Sequence, residues 1–526
     1  MPGSNTCPQC GYNSQGSHGR PIKFYPIELP SSRMSQLLES NNPPLHTERL
    51  QLEGFIGDNL EFVTSLQERV SKARAVLNDL LKEQRGVKDM IESCKTIIRP
   101  IRKVPEDIVR EIFLALWDTE EEGKDSLNKR FTPLVVSQVC RDWRTIALSM
   151  SQLWSTITLD FDRHLNELPC QYLLQTYLVR SANRDIILSI RSSRDISKSP
   201  VIPALILSAP RWTNISMSIP HNSRHAFSAA RGFLHRLNRL SVELTQEDYY
   251  MHSTKTLFDA FEYAPLLRSL SLKGIGRSIE QMSLPWSQLT DYTGDDRTSC
   301  MDILKRAPEI ERASLQCFED GTHQTLSRQR LRILHVHEVG PTPYVRDSAG
   351  GILQLLSCVE FPALESLHMA YAHTHNVLIP KSLMGLTAGS LKSLSIDARS
   401  VLSSTAQADF LSLLKTTESL SSLSLSCRFE PNQNKELLTG LNANMNPTVV
   451  PRLTSLTIRI TNEKPFLQPS FIEMVQSRRY PALACVALES LRLSVPFIVM
   501  PANKDALPRW KDICDGDLVT KKESGV

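Results

Sequence analysis

Apolar residues along this 526-residue chain follow different periods in different stretches, and the changes of period divide it into segments. From 48 to 97 they recur every seven residues. Val63, Val70, Leu77 and Ile91 make one series, and Leu66, Ala73, Leu80 and Val87 make a second, offset by three. That seam predicts one long helix, since positions alternating three and four apart share a helix face. Glu68, Arg69, Lys72 and Arg74 fill its flanks. Gln84 breaks the seam, and Gly86 weakens the helix by about 1 kcal/mol. The stripe needs a cover, supplied by a second copy through residues 60–94, by a neighbouring helix or by the following domain.

Between 98 and 160 the pattern predicts three short helices. Pro105 suits a first helical turn, where its missing N–H costs nothing, and Glu106 and Asp107 complement the positive end of the helix dipole. Ile108, Val109, Ile112, Phe113 and Leu116 then cover more than one face. A second helix starts at Thr132 and Pro133 and carries Val135, Val136 and Val139. Trp143, Ile146 and Ala147 mark a third, and Leu153-Trp154 closes the module. About fifty residues bury too little surface to be stable unsupported. The surplus apolar side chains point either to a permanent partner or to packing on the C-terminal region.

From 170 to 500 a looser unit recurs, apolar-x-x-apolar-x-apolar. It occurs at Trp212-Ile215-Met217, Leu237-Leu240-Val242, Leu267-Leu270-Leu272, Ile310-Ala313-Leu315 and Leu331-Leu334-Val336. Later copies are Leu364-Leu367-Met369, Leu391-Leu394-Ile396, Leu420-Leu423-Leu425, Leu453-Leu456-Ile458 and Leu488-Leu491-Leu493, with starts 21 to 43 residues apart. The alternating end of each unit predicts a short strand. Helices fit between them at 256–263, 299–306, 351–359, 410–416 and 471–477, and Pro265, Pro308 and Pro362 mark returns of the chain. This is the leucine-rich-repeat signature with a stretched, irregular period. The expected fold class is α/β: a helix and a three-helix module, then a curved solenoid whose parallel strands line a concave face. Trp212 and Trp286 fall within the repeat pattern and are expected in the core. Arg268, Lys392, Arg459 and Arg492, between apolar positions, are expected on the surface.

Composition narrows the function classes. Lys plus Arg number 60 against 56 for Asp plus Glu, a net charge of +4. Spread over this length, that is no basic face for nucleic acid. The 11 Cys are scattered apart from Cys7 and Cys10, which implies a reducing compartment, cytosol or nucleus. Cys7-Pro-Gln-Cys10 is half a zinc knuckle with only His18 nearby, so no metal is expected. No apolar run is long enough for a bilayer. Residues 1–47 and 501–526 read as a disordered and a flexible tail. Gly-rich phosphate loops, Gly-x-Ser-x-Gly elbows and His-Glu-x-x-His helices are absent, so neither an enzyme nor a cofactor is expected. His335 and His337 share a strand face, and His368, His373 and His375 lie near another repeat. They read as solvated or core histidines. Cys140 reads as a small buried residue with no reactive role.

One segment carries a resemblance. Val104-Pro105-Glu106 with Ile108, then Ile112-Phe113, Val139-Cys140 with Trp143, and Leu153-Trp154 resemble an F-box, the helical module that docks on the Skp-type adaptor of a cullin ubiquitin ligase. With the heptad helix before it and the repeats after it, the chain from about 50 onward is similar to the F-box proteins expanded in mushroom-forming fungi. The resemblance implies adaptor-binding residues at Val104, Pro105, Ile108, Ile112, Phe113, Val136, Val139, Cys140 and Trp143. It implies a substrate-recognition subunit, the solenoid holding a protein target. Val104 stands where Leu is usual, Ile108-Val109 replaces Ile-Leu, and 118–130 lengthens the first connection. The alternative reading is a non-catalytic leucine-rich scaffold that self-associates through the heptad helix.

Overall fold

The structure is a computed structural model that describes residues 30–119, 125–128, 131–163, 167–245, 258–275, 279, 282–294, 299–317, 325–338, 350–371, 389–398, 402–428, 434–460, 469–481 and 485–494. Cys7, Cys10 and His18, both expected tails' outer residues, and His373 and His375 lie outside them. The chain forms two compact units, Met1–Ile108 and Val109–Val526.

In the first unit, a short helix α1 (Ser31–Glu39) occupies part of the segment read as a tail. It is tied to the start of helix α2 (His46–Ile97) by Arg33, which donates to Glu48 at 3.0 Å. Glu48 also accepts the Leu45 backbone N–H at 2.8 Å, closing the helix end. These bonds hold the Glu48 carboxyl below its ordinary range. Helix α2 runs for 52 residues, and none of them is buried. A 3-10 turn, Pro100–Lys103, follows it.

The second unit opens within helix α3 (Glu106–Thr119). Its inward row is Val109, Phe113 and Trp117, each four residues from the last and all buried. Helices α4 (Thr132–Val139) and α5 (Arg141–Ser149) are separated by Cys140, whose extended backbone (φ −154°, ψ 176°) breaks one helix and caps the next. A 3-10 turn then buries Leu153 and Trp154 and delivers the chain to the first strand.

Among the described residues, thirteen parallel strands, from Thr156–Asp160 to Ser490–Ser494, form one sheet in chain order. All ten sequence units enter this ladder in a common register. Ile215, Leu240, Leu270, Tyr292, Ala313 and Leu334 pair successively, followed by Leu367, Leu394, Leu423, Leu456 and Leu491. Each unit's leading apolar residue sits just ahead of its strand, except Trp212, which opens its strand and pairs with Ile186. The turn ahead of the strands repeats one backbone device. The Asn238 carbonyl accepts the N–H groups of Arg268 and Ser269, and the Arg332 carbonyl those of Glu365 and Ser366. The Lys392 carbonyl likewise accepts Ser421 and Ser422. Each unit so satisfies the backbone of the next.

Three strands lack a recognisable unit. In Thr156–Asp160 the leading residue is Trp154, which also belongs to the helical module. In Ile186–Arg191 the leading position is Asp185, and the register with the next strand shifts between Ile186 and Ile187, leaving Thr213 unpaired in the ladder. In Asp291–Gly294, Tyr292 takes the central position and its ring lies where a side chain on Gly294 would be. One ring there replaces two aliphatic residues, which is why the spacing from Leu267 to Ile310 looked so long.

Helices Cys300–Arg306, Gly351–Cys358, Ser404–Thr416 and Pro469–Arg479 stand between strands at four of the expected places. At the fifth, the described residues from Phe258 make a turn. Phe258 bridges Met282, and Phe261 packs edge-on against Phe258 at 5.3 Å. Near the C-terminal end, Arg478 is wholly buried. It donates to the carbonyls of Leu441 (2.8 Å), Val450 (3.0 Å) and Val449 (2.7 Å), and it clamps a loop in which Val450 is held at φ 41°.

Candidate functional site: a helical cluster and an open sheet face

Packing of the helical cluster accounts for most of its apolar residues. Phe113 meets Trp143 edge-on, with ring centroids 5.0 Å apart, and Trp117 meets Phe131 at 5.1 Å. Phe131 stacks at 6.5 Å on Tyr177, and Tyr177 meets Trp154 at 5.1 Å. Trp154 donates through Nε1 to the Ala147 carbonyl at 2.9 Å, while the Arg180 guanidinium lies 4.4 Å over its ring. Backbone bonds complete the junction: Ser126 N–H donates to the Thr158 carbonyl at 2.8 Å, and Thr158 N–H to Ser126 Oγ at 3.0 Å. The cluster therefore closes the first edge of the sheet, an end that a stacked array must cover.

The nine residues of the sequence motif divide by position. Phe113 and Val136 are buried, and Ile112 and Trp143 are half-buried. Val139 is 57% exposed, and Cys140 is exposed, where the sequence reading had it buried. The helix break explains the difference. Cys140 no longer lies on a helix face, and its Sγ accepts the Trp143 N–H at 3.4 Å as an N-cap. In the first unit Val104 is half-buried, and Pro105 and Ile108 are exposed. Val135 and Val139, four apart on α4, form an outward apolar row, and Leu116 and Leu148 are also exposed. Sequence reasoning had not singled out Val135, Leu116 or Leu148 as surface residues, because each sits in a row that also supplies core. Trp117, Phe131 and Tyr177 carried no motif signal either.

The second feature is the sheet face opposite the leucine ladder. Small hydroxyls dominate it: Ser366, Ser393, Ser422, Ser455 and Ser490 pair in one row. Three histidines interrupt it. His335 pairs in register with His368, their rings 5.4 Å apart, and His337 lies 5.6 Å from His368. Burial, reinforced by neighbouring histidines and opposed by Asp397, depresses the His337 and His368 pKa values, so both imidazoles are neutral near pH 7. Among the described residues no cluster of three or more His, Cys, Asp or Glu is arranged to hold a metal ion.

Of the four cations expected on the surface, Arg459 and Arg492 lie on strands and are exposed. Lys392 lies in the turn column and pairs with Glu365 at 3.0 Å. Arg268 occupies the same column and donates to the Pro265 and Leu267 carbonyls. Trp212 is fully buried and donates to Ser208 Oγ at 2.9 Å, and Trp286 packs on Tyr292 at 5.9 Å. Among the described residues, no helix is long and apolar enough to cross a membrane. No family model matches the chain, and none of the curated proteins searched matches it significantly.

Proposed function

We propose that the chain is a non-catalytic recruiting subunit, the substrate receptor of a Skp–cullin–F-box type ubiquitin ligase. The helical cluster holds the adaptor, and the open face of the sheet holds a protein target. One observation carries this reading. The cluster is already packed inside, through Phe113, Trp143, Trp154 and Tyr177, yet α4 still turns Val135 and Val139 to solvent. Apolar surface left after packing is surface for a partner. The motif that carries the F-box resemblance ends α4 at this same Val139-Cys140 pair.

On this reading the motif residues have two jobs. Phe113 and Val136 hold the helices in register from within, and Val139 and Cys140 meet the adaptor. Pro105 and Ile108, exposed in the first unit, are further contacts. The sheet face, rich in small hydroxyls and neutral histidines, offers hydrogen bonds and charges of both signs, from Asp397, Arg459 and Arg492. It suits a protein surface better than a polyanion. Catalysis is by proximity: the complex holds a target lysine near a ubiquitin-loaded enzyme, and no side chain of this chain takes part.

The test is co-purification of the full chain with a Skp-type adaptor. Val139→Glu is expected to abolish capture and leave the melting temperature unchanged, since Val139 is 57% exposed. A chain that captures no adaptor, or that captures it equally well with Val139→Glu and Ile108→Glu, overturns the proposal.

A further inference from the structure

Helix α2 presents apolar surface along its length, and none of its residues is buried among the described residues. Its heptad is stricter than the two core series alone. Beside the a positions (Ile56, Val63, Val70, Leu77, Ile91) and the d positions (Leu66, Ala73, Leu80, Val87), the g positions carry Phe55, Phe62, Val76, Met90 and Ile97. The outer b, c and f positions from Glu61 to Thr96 are polar or small. Phe55 and Val76 are half-buried, and the other large apolar seam residues stand 37% to 68% exposed. A seam of this kind offers on the order of 1,000 Å² per helix, and two of them reach the roughly 1,200–2,000 Å² that stable interfaces bury. Helix α1 is bonded to the start of α2 through Arg33 and Glu48.

Charge decides between orientations. Arg69 and Glu83 occupy g positions, and no opposite charge stands three or four residues from either one along the helix. In a parallel pair, g faces the following e of the partner, so Arg69 would face Arg74 twice while Glu83 faces Lys88 twice, and repulsion and attraction offset each other. In an antiparallel pair g faces g. With the twofold axis at Val76, Arg69 meets Glu83 twice, Phe62 meets Met90 twice and Phe55 meets Ile97 twice. The same frame aligns Val63 with Val87 and Val70 with Leu80 in the core, and it sets the polar Gln84 against Leu66. Sliding by one heptad puts Arg69 opposite Val76 or Met90 and loses both ion pairs. The antiparallel frame leaves one like-charge contact, Arg74 across the axis.

We infer that α2 is the interface for a second copy of this chain, paired antiparallel about Val76. This inference does not depend on the adaptor reading. A dimer of this kind carries two copies of the recruiting cluster, which gives a bivalent partner the advantage of raised effective concentration.

The test uses the full chain in sedimentation equilibrium at micromolar concentration. The expected mass is twice the 59.3 kDa of one chain. Arg69→Glu and Glu83→Arg each weaken the dimer at least tenfold, and the two changes together restore it. A Val76→Cys chain, oxidised and mapped by mass spectrometry, links residue 76 to residue 76 of the partner chain. A monomer at these concentrations overturns the proposal. So does tighter pairing of Arg69→Glu, which a parallel pair would show because the introduced carboxylate would then face Arg74. A disulfide joining Cys94 to its counterpart overturns it too, because Cys94 is an exposed d residue that self-pairs only in parallel.

Discussion

Helix α2 and the thirteen-stranded sheet are both built on strict apolar periodicity, and they dispose of it in opposite ways. In the sheet every unit lays its leucines on those of its neighbours, so the ladder from Ile215 to Leu491 is buried within the chain. In α2 an equally regular seam stays in solvent. Periodicity therefore reports that a surface will be buried, and only the neighbours of that surface decide by what. A repeat supplies its own neighbour at the next turn of the solenoid. A single long helix has no next turn, so it supplies no cover for its own seam.

Stability measurements sharpen this contrast. The largest effect is expected at Arg478, where Arg478→Ala removes the guanidinium donors from three buried carbonyls and releases Val450 from a left-handed backbone that a β-branched residue resists. It should cost about 3–5 kcal/mol in denaturant unfolding. Faster amide exchange should concentrate in the last repeats, since stacked units lose stability locally. Leu394→Ala, in the middle of the ladder, should cost about 3 kcal/mol through the cavity it leaves. Leu77→Ala in α2 should move unfolding of a dilute monomer by only a few tenths of a kcal/mol, because Leu77 is 55% exposed and alanine favours helix. Equal costs for Leu77→Ala and Leu394→Ala in dilute solution would break the comparison.

Gly274→Ala should cost about 1–3 kcal/mol. The glycine is at φ 65°, and a Cβ there would meet the Leu244 carbonyl oxygen. The smallest effect concerns pH. His337 and His368 have depressed pKa values in the folded state, so the unfolded chain binds more protons below the ordinary histidine value of about 6.5. Their contribution is complete above that value and is lost as pH falls towards the folded pKa. Replacing both by Gln should flatten the decline of stability between pH 7 and 5, and an unchanged slope would show that other groups cause it.

Much of this architecture is legible from residue spacing. The unit apolar-x-x-apolar-x-apolar falls on ten strands because strand alternation and the turn before it impose that spacing directly. The three remaining strands escape for physical reasons already visible in their residues: Asp185 in a leading position, a tyrosine ring covering Gly294, and a tryptophan shared with the helical cluster. The helix expected at 256–263 fails because Phe258 is held in a bridge. At the candidate site, the motif names residues without saying which face they take. Phe113 and Val139 look alike in the pattern, yet one is fully buried and the other largely exposed. Only the packing of Phe113 on Trp143, and the break at Cys140, separate them. The histidine pair across two strands was out of reach for the same reason. Register joins His335 to His368, and thirty-two residues of intervening sequence hide it.

In the proposed function, the exposed apolar surface of the helical cluster belongs to an adaptor. The most direct measurement is the mass of the complex recovered when the full chain is co-expressed with a Skp-type adaptor. The account predicts one adaptor per chain, lost with Val139→Glu while the melting temperature holds. A chain recovered without adaptor, as monomer or dimer, would contradict it.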